Sequence, residues 1–335
     1  EGIWESDPIA FLGSPPVEGW HFVFSDYARN NAIDNIISPG NIGMTLRAVM
    51  YPYTIAGVIQ NADPCFDNSP EFKELAKTII CTGNPFSYSH NAFDEELDKI
   101  TYSWANPLDN HTISGPPYDP MNPLAGAIPY ILPYTLNSPL PGNPTLDSET
   151  GEISYNPTIS GNFVTCIKVE ARKCGQLIAE IYREVQVALI ACPTTILSNS
   201  APIISPPFPG TATPFEKIVF AGDLVTFSIE AEDLDVYPGG VSQSLTLDVS
   251  GGEFAVDPVT GLLSLDPTLC PNPPCATFQD GSGTVPPLIG ASIVNGFFEW
   301  QTHCSHLENI CDNTTSSSNI FFFSIKAFDD FCPAN

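Results

Sequence analysis

The amino-acid sequence predicts an all-β fold of tandem antiparallel β-sandwich domains, of the immunoglobulin- or cadherin-like kind. Proline accounts for 34 of the 335 residues, about twice its usual share of ~5%, and proline inside a regular pattern excludes long helices. Apolar and polar residues alternate along most segments between turns, which is the period of a half-buried strand. In addition, one strand–turn–strand pattern occurs twice, which indicates two copies of one structural unit.

The repeated pattern covers residues 82–104 and 221–249. In each copy a glycine turn, at Gly83 or Gly222, leads into an alternating strand, an acidic cluster ends that strand, and a second alternating strand follows. The inward positions predicted for the first strands are Phe86, Tyr88 and Ala92 in one copy and Val225, Phe227, Ile229 and Ala231 in the other. Those of the second strands are Ile100, Tyr102 and Trp104, and Leu245, Leu247 and Val249. A D-x-x-T-G segment also occurs twice, at 147–151 and 257–261.

The order of these patterns predicts three regions. Residues 1–61 contain two strands, 21–27 and 44–51, which we expect to close a preceding β domain or to form a flap on the next unit. Residues 62–192 form the first sandwich, with a long Pro-rich loop at 107–144 and a hairpin of 162–171 and 177–190. Residues 193–335 form the second sandwich after a Pro-rich linker. Its last strand lies at 320–330, where a sandwich still needs a closing strand, so we expect an edge that is unpaired or covered by another segment.

Charge and cysteine content limit the functional classes. The net charge of −27 comes from 38 acidic against 11 basic residues, so nucleic acid and anionic bilayer surfaces would be repelled and divalent cations attracted. Ten cysteines without a C-x-x-C pair indicate disulfides and an extracellular compartment. The sequence has no apolar run of about 18 residues and no signal-peptide pattern. We therefore expect a mature or interior fragment that is not inserted in a membrane.

Two short loops are predicted to be closed by local disulfides, Cys270–Cys275 and Cys304–Cys311. An alternative for the second loop is a zinc site, although its spacing fits no standard zinc finger. The zinc ligands would be His303, Cys304, His306, Glu308 and Cys311.

The long hairpin separates two further cysteines. Cys166 lies eight residues before the turn at Cys174, about 25 Å away at ~3.3 Å per residue, so the two are not expected to pair within a ~7 Å limit. Each unit contains five cysteines. Either a bridge such as Cys192–Cys332 crosses between the units or free thiols remain.

Both acidic clusters are candidate calcium sites. A hard cation takes about six to eight oxygen ligands, and carboxylates at a strand end supply several of them. The predicted ligands are Asp94, Glu95 and Asp98 in the first copy and Asp233 and Asp235 in the second. Asp329 and Asp330 are candidates for a further site. The alternative for all of these clusters is a solvated acidic turn.

No recognisable catalytic motif is present. The sequence lacks G-x-S-x-G, H-E-x-x-H and G-x-x-x-x-G-K, and a carboxylate pair of glycosidase type means little among 38 acidic residues. We therefore expect a protein that is not an enzyme. The long loop carries three tyrosines that would either stack on sugars or anchor the loop: Tyr118, Tyr130 and Tyr134.

Several segments resemble repeats in giant cell-surface proteins of Bacteroidota, similar to SprB-type gliding-motility adhesins exported by the type IX secretion system. They include CFDNSPEF (65–72), ICTGNPFSYSHNAFDEELDKITYS (80–103), VEARKCGQLIAEIYREVQV (169–187) and KAFDDFCP (326–333). Where that family commonly has Asp-Ala-Asp-Gly-Asp, this chain has DEELD at 94–98. The resemblance implies a non-enzymatic structural repeat of an outer-membrane-associated adhesin filament, with neighbouring repeats and a surface polysaccharide as partners. The alternative is a carbohydrate-binding or spacer module of a secreted polysaccharide-degrading enzyme.

Overall fold

The computed structural model describes residues 7, 9–62, 66–76, 79–109, 126–191, 199–237, 239–307 and 318–331. Strand makes up 44% and helix 2% of this structure, which confirms the predicted all-β sandwich class. Helix in the described residues is limited to two short 3₁₀ turns, Pro39–Asn41 and Cys304–His306. No described helix has the length and apolar character needed to cross a membrane.

The first unit contains the strands up to residue 190, most of which coincide with the predicted alternating segments. The strands are β1 (Trp20–Asp26), β2 (Met44–Met50), β3 (Thr54–Ile55), β4 (Val58–Ile59), β5 (Glu71–Phe72), β6 (Ile79–Cys81), β7 (Phe86–Ser89), β8 (Ala92–Phe93), β9 (Lys99–Ala105), β10 (Thr145–Leu146), β11 (Glu152–Tyr155), β12 (Gly161–Lys173) and β13 (Gln176–Ile190).

The main sheet of the first unit has the order β1-β2-β13-β12-β9, and β6 pairs with β13 in parallel. A smaller sheet has the order β10-β11-β7. The core between them includes Tyr102, Phe163, Ile167, Val169 and Leu189, each at most 4% exposed. The hairpin of β12 and β13 turns at the dipeptide 174–175, where both residues have positive φ, as a two-residue hairpin turn requires.

Strands β1 and β2, predicted to close a preceding domain or to form a flap, belong to this main sheet. β2 pairs antiparallel with β13, with Met50 opposite Ala179 and Ala48 opposite Ile181. The region before residue 61 and the first unit therefore share one hydrogen-bonded sheet.

The second unit contains nine strands among the described residues. Its strands are β14 (Ile203–Ile204), β15 (Leu224–Glu232), β16 (Val236–Tyr237), β17 (Val241–Ser242), β18 (Ser244–Ser250), β19 (Thr277–Gln279), β20 (Leu288–Ala291), β21 (Ile293–Gln301) and β22 (Ser324–Asp329). Two sheets, β14-β15-β21-β19 and β20-β18-β22, enclose a core that includes Ile229, Leu247, Phe278 and Phe298.

One strand pair is arranged alike in the two units. In the first unit Lys168 of β12 lies opposite Ser103 of β9. In the second unit Lys326 of β22 lies opposite Asp248 of β18. β12 and β22 therefore occupy equivalent positions, and so do β9 and β18.

The D-x-x-T-G segments also fold alike. The Oδ1 atom of Asp147 accepts two backbone hydrogen bonds of 2.9 and 2.8 Å within its turn, and that of Asp257 accepts two of 2.8 and 3.0 Å. These backbone donors hold the pKa of both carboxyl groups below its ordinary value. Gly151 and Gly261 end the turns with φ of +67° and +69°, a conformation that favours glycine.

Candidate functional site: the junction between the units and its acidic pockets

Glu74 forms the centre of the contact between the two units. It follows β5 of the first unit, and its side chain is only 4% exposed. Its carboxylate accepts hydrogen bonds from Lys326 Nζ at 2.9 and 3.1 Å and from Ser250 Oγ at 2.5 Å. Lys326 also lies 3.3 Å from Asp248. A buried carboxylate of one unit is thus neutralised by a lysine of the other.

Electrostatics keep this lysine charged. Burial acts to lower the pKa of Lys326, but the hydrogen bond to Glu74 and the neighbouring carboxylates outweigh it, so that its pKa lies above the ordinary value. The lysine is therefore charged at neutral pH. Charge-assisted hydrogen bonds of this kind are stronger than neutral ones.

Three further contacts extend the junction. Asn91 Nδ2 donates to Ser250 Oγ at 3.0 Å, and Asn272 Nδ2 donates to the backbone oxygen of Glu95 at 3.1 Å. Gly252 packs so closely on the ring of Phe93 that an added Cβ would overlap that ring. Polar and apolar contacts together fix the second unit against β8 and the acidic turn of the first.

The acidic turn of the first unit contains a buried pocket with its own cation. Lys173 Nζ lies 2.6 Å from Asp98 Oδ2 and 3.6 Å from Asp67 Oδ1. Burial raises the pKa of Asp67 to about 8, helped by its hydrogen bond with Asp98, and burial raises the pKa of Asp94 to about 7. An ammonium group thus occupies the position that a bound cation would take.

Two of the predicted calcium ligands, Asp94 and Asp98, belong to this pocket, whereas Glu95 does not face it. The Glu95 carboxylate accepts a hydrogen bond of 2.6 Å from Asn68 Nδ2 near the surface. The predicted set is therefore only partly brought together, and the nearby lysine was not recognised from the sequence.

The second unit has a corresponding acidic pocket without a lysine. Asp233 is 6% exposed, and its Oδ2 atom has no hydrogen-bond partner among the residues that the structure describes. Asp235 accepts a hydrogen bond of 2.8 Å from Ser200 Oγ. Burial and the neighbouring carboxylates of Asp235 and Asp330 raise the pKa of Asp233.

A chain of amide hydrogen bonds lies beside the Asp235 segment, since the backbone of Gln243 donates to the backbone oxygen of Asp235. Gln243 Nε2 donates to Asn199 Oδ1 at 2.7 Å, and Asn199 Nδ2 donates to Asp329 Oδ2 at 2.8 Å. Gln243 is only 3% exposed, and within the described part of the chain its Oε1 atom has no hydrogen-bond partner. The predicted ligand Asp329 thus contacts amides that the sequence did not indicate, and it is the chain neighbour of Asp330, whose charge acts on Asp233.

The two pockets correspond position by position. Asp67 precedes β5 and Asn199 precedes β14 by the same four residues. In the aligned strands β12 and β22, the position of Lys173 is taken by Phe331. Within the described residues no ion pair includes Asp233 or Asp235. The second pocket therefore lacks the internal positive charge of the first.

Neither pocket has a complete set of metal ligands among the described residues. Among the residues that the structure describes, no group of three or more His, Cys, Asp or Glu side chains has the arrangement of a metal site. A cation in the second pocket would need the amide oxygens of Asn199 and Gln243 in addition to carboxylates.

The predicted disulfides have different outcomes. Cys270–Cys275 is formed, with a Cα–Cα distance of 5.6 Å. Cys304 is a free and exposed thiol, so the predicted Cys304–Cys311 bridge is wrong. Cys304 begins a 3₁₀ turn that leaves its side chain in solvent, and Cys311 lies outside the described residues.

The two cysteines of the long hairpin agree with the prediction that they do not pair with each other. Cys166 is buried and free, whereas Cys174 is disulfide-bonded, so the two do not pair with each other. Cys192 and Cys332 lie outside the described residues.

The histidines near Cys304 have structural roles. His306 is 2% exposed; its Nδ1 accepts a hydrogen bond from the backbone of His303 at 3.0 Å, and its Nε2 lies 2.7 Å from the backbone oxygen of Asn272. Both ring nitrogens are thus engaged in fixing the loop.

Two of the three tyrosines of the long loop pack against the first unit. Tyr130 is half-buried and donates to the backbone oxygen of Ala105 at 3.3 Å. Tyr134 packs edge-on against Phe163 with ring centroids 5.4 Å apart. Both anchor the loop to the first unit, while Tyr118 lies outside the described residues.

Comparison with known proteins assigns no family. No protein-family model matches the chain, and no curated protein matches it.

Proposed function

We propose that the chain is a non-enzymatic mechanical segment of a large bacterial cell-surface adhesin or filament, which extends from the outer surface and presents binding loops. The observation that supports this proposal best is the buried ion pair between Glu74 of the first unit and Lys326 of the second, which we call the Glu74–Lys326 clamp. Two sandwiches that only carried separate binding sites would need no buried ion pair between them, because domains in one chain by default move relative to each other.

The remaining contacts favour the same function. Gly252 against Phe93, and the amide of Asn272 on the backbone of Glu95, restrict bending at the junction on two sides of the clamp. A stiff series of such units transmits tension along a filament. This is the property required of an adhesin that links a cell to a surface during gliding.

Binding in this proposal comes from loops and neighbouring repeats. A surface polysaccharide is the expected ligand, held weakly by each unit and more strongly by many units together. Export through the type IX system and attachment at the outer membrane follow from the resemblance of the repeated segments to SprB-type adhesins.

The test uses beads coated with the purified chain at several densities. Attachment to polysaccharide-bearing surfaces should rise more steeply than in proportion to density, and glycan, peptide and ester substrates should remain unchanged. Turnover of any such substrate that is lost on replacing a single Asp or Glu would overturn the proposal.

Calcium is the second component of the proposal, and it is assigned to the second pocket only. Two buried oxygens without hydrogen-bond partners in the described residues, Asp233 Oδ2 and Gln243 Oε1, suit a hard cation that prefers oxygen ligands. In the first pocket Lys173 already supplies the positive charge. The cation would neutralise the Asp233 carboxylate and fix the loops around it.

The calcium component is tested by melting the chain in calcium and in chelator. A cation that binds only the folded state with a Kd of ~0.1 mM, and is present at millimolar concentration, raises the free energy of unfolding by about 1.4 kcal/mol. The melting temperature should therefore rise by a few degrees. Asp233→Asn should abolish the rise, and Asp94→Asn in the first pocket should preserve it. Identical melts of the unmodified chain in calcium and chelator would contradict the assignment.

A further inference from the structure

Lys173 has the most buried lysine side chain of the ion pairs among the described residues. It is 10% exposed, and the side chains of its two partners, Asp98 and Asp67, are 2% and 3% exposed. The lysines of the other ion pairs are each at least 25% exposed: Lys73, Lys168 and Lys326. One ammonium group and two carboxyl groups are thus excluded from water together.

The pairing of β12 with β9 brings Lys173 next to Asp98. Arg172 of β12 lies opposite Lys99 of β9, so in this antiparallel pair the next residue of β12 meets the residue that precedes β9. The turn before β9 holds Asp98 in place, because its backbone N–H donates to Asp94 Oδ1 at 3.0 Å. Lys173 Nζ lies 2.6 Å from Asp98 Oδ2. Since a C–O bond is about 1.23 Å long, Nζ and the carboxyl carbon are at most about 3.9 Å apart.

Aromatic and apolar side chains form one wall of this pocket. Lys173 Nζ lies 5.7 Å from the ring centroid of Phe66, which stacks on Tyr53 with ring centroids 5.5 Å apart. Both rings belong to the apolar cluster around Ile178. Apolar surroundings penalise charged groups, so they bring a neutral amine and a neutral carboxylic acid closer in free energy to the ion pair.

Asp67 adds a carboxyl group that carries a proton. Its side chain is hydrogen-bonded to that of Asp98, and a hydrogen bond between two carboxyl groups requires a proton on one of them. Burial raises the pKa of Asp67 to about 8, which assigns this proton to Asp67 at neutral pH. Asp67 Oδ1 also lies 3.6 Å from Lys173 Nζ. A protonated carboxyl group therefore lies beside both the amine and the second carboxyl group.

We propose that the folded chain joins Lys173 to Asp98 through an isopeptide bond, an amide between the two side chains. The bond forms between Nζ and the carboxyl carbon, and one water molecule leaves. It links β9 to β12 covalently within the first unit. The net charge of the pocket stays the same, because one ammonium and one carboxylate disappear together. This inference does not depend on the proposed function.

The reaction balances without an oxidant, a reductant or a co-reactant. Lys173 Nζ passes a proton to the Asp98 carboxylate, and the lone pair of the nitrogen then attacks the carboxyl carbon. Asp67 donates its proton to the hydroxyl group, which leaves as water, and it takes a proton from the nitrogen, so that its own carboxyl group is restored. Well-oriented groups held in contact react with effective molarities of about 10⁵ to 10⁸ M.

Mass spectrometry of the purified full chain tests the proposal. After reduction and alkylation of the cysteines, the intact mass should be about 18 Da below that of the unlinked chain, the mass of one water. Trypsin does not cleave after an acylated lysine, so the digest should contain residues 78–99 joined to residues 173–183. Fragmentation should locate the link at Asp98. Cleavage after Lys168 and Lys326, which form more exposed ion pairs, should be complete.

Two variants separate the roles of the groups. Lys173→Arg keeps the positive charge but removes the nucleophilic amine, so the chain should keep its circular dichroism spectrum and lose the mass deficit. Asp67→Asn keeps a side chain that forms hydrogen bonds but cannot return a proton, so the linked fraction should fall at least tenfold.

Three results would overturn the proposal. The first is complete tryptic cleavage after Lys173 in the unmodified chain. The second is a mass deficit that persists in Lys173→Arg, since the water would then be lost elsewhere. The third is a link from Lys173 to residues 48–73, the tryptic peptide that contains Asp67. An undiminished linked fraction in Asp67→Asn would overturn the proton transfer assigned to Asp67.

Discussion

Replacing Lys326 by methionine should destabilise the chain by about 2 kcal/mol. Breaking a buried ion pair by removing one partner costs about 3 to 5 kcal/mol, because the other charge remains buried. Glu74 is only 4% exposed, but the lysine side chain is 32% exposed, so solvent screening reduces the expected loss. Ser250 still donates a hydrogen bond to Glu74, which offsets part of the remainder.

Lys168 provides a matched control, because it occupies the equivalent position in β12 and is 25% exposed. When the lysine is removed, Glu170 still pairs with Arg172, and Glu180 still pairs with Arg47. Lys168→Met should therefore cost less than about 1 kcal/mol.

The assay is urea unfolding at pH 7, in which tryptophan fluorescence and circular dichroism report the free energy of unfolding. Adding Glu74→Gln to Lys326→Met should recover part of the loss, since the buried charge is then absent, and the double-mutant cycle gives the coupling energy. Equal losses for Lys326→Met and Lys168→Met, or a coupling near zero, would refute the role assigned to the clamp.

Three other predictions concern single groups. Burial raises the pKa of Glu253 to about 8, from an ordinary 4.5, so the folded chain holds this proton more tightly than the unfolded chain. The free energy of unfolding should therefore fall as pH rises from about 4.5 to about 8. Glu253→Gln should reduce that fall in urea unfolding at pH 5 to 9, and an unchanged dependence of the free energy of unfolding on pH would contradict the prediction. A maleimide should label Cys304 in the native chain and the buried Cys166 only after unfolding, as read by mass spectrometry; native labelling of the second thiol would show an open core. Gly252→Ala should cost about 1 to 3 kcal/mol because the new methyl overlaps an aromatic ring, whereas Gly281→Ala, with open space around its Cβ position, should cost far less.

Local patterns predicted the strands and turns well. The period-2 alternation located β9 and β18 almost to the residue, because inward and outward positions alternate regardless of which strand lies next to them. The D-x-x-T-G turns were recognisable because their hydrogen bonds lie within five residues. Such features depend on neighbours in sequence, which a single chain displays directly.

Contacts between distant residues were not predictable in the same way. Glu74 and Lys326 are 252 positions apart, and neither has a local pattern that indicates a partner. Lys173 lies next to the predicted hairpin turn at Cys174, but only the fold shows that its ammonium group enters the acidic pocket. Cys304 was assigned to a bridge on spacing alone, and spacing does not report which way a side chain points.

We propose that the two units act as one stiff body, and ¹⁵N relaxation of the full chain tests this stiffness most directly. Amides of β9 in the first unit and of β18 in the second should report the same rotational correlation time, as expected for a single rigid particle of 36.1 kDa. Lys326→Met should make the two values diverge. Different and shorter correlation times for the two units in the unmodified chain would contradict the claim.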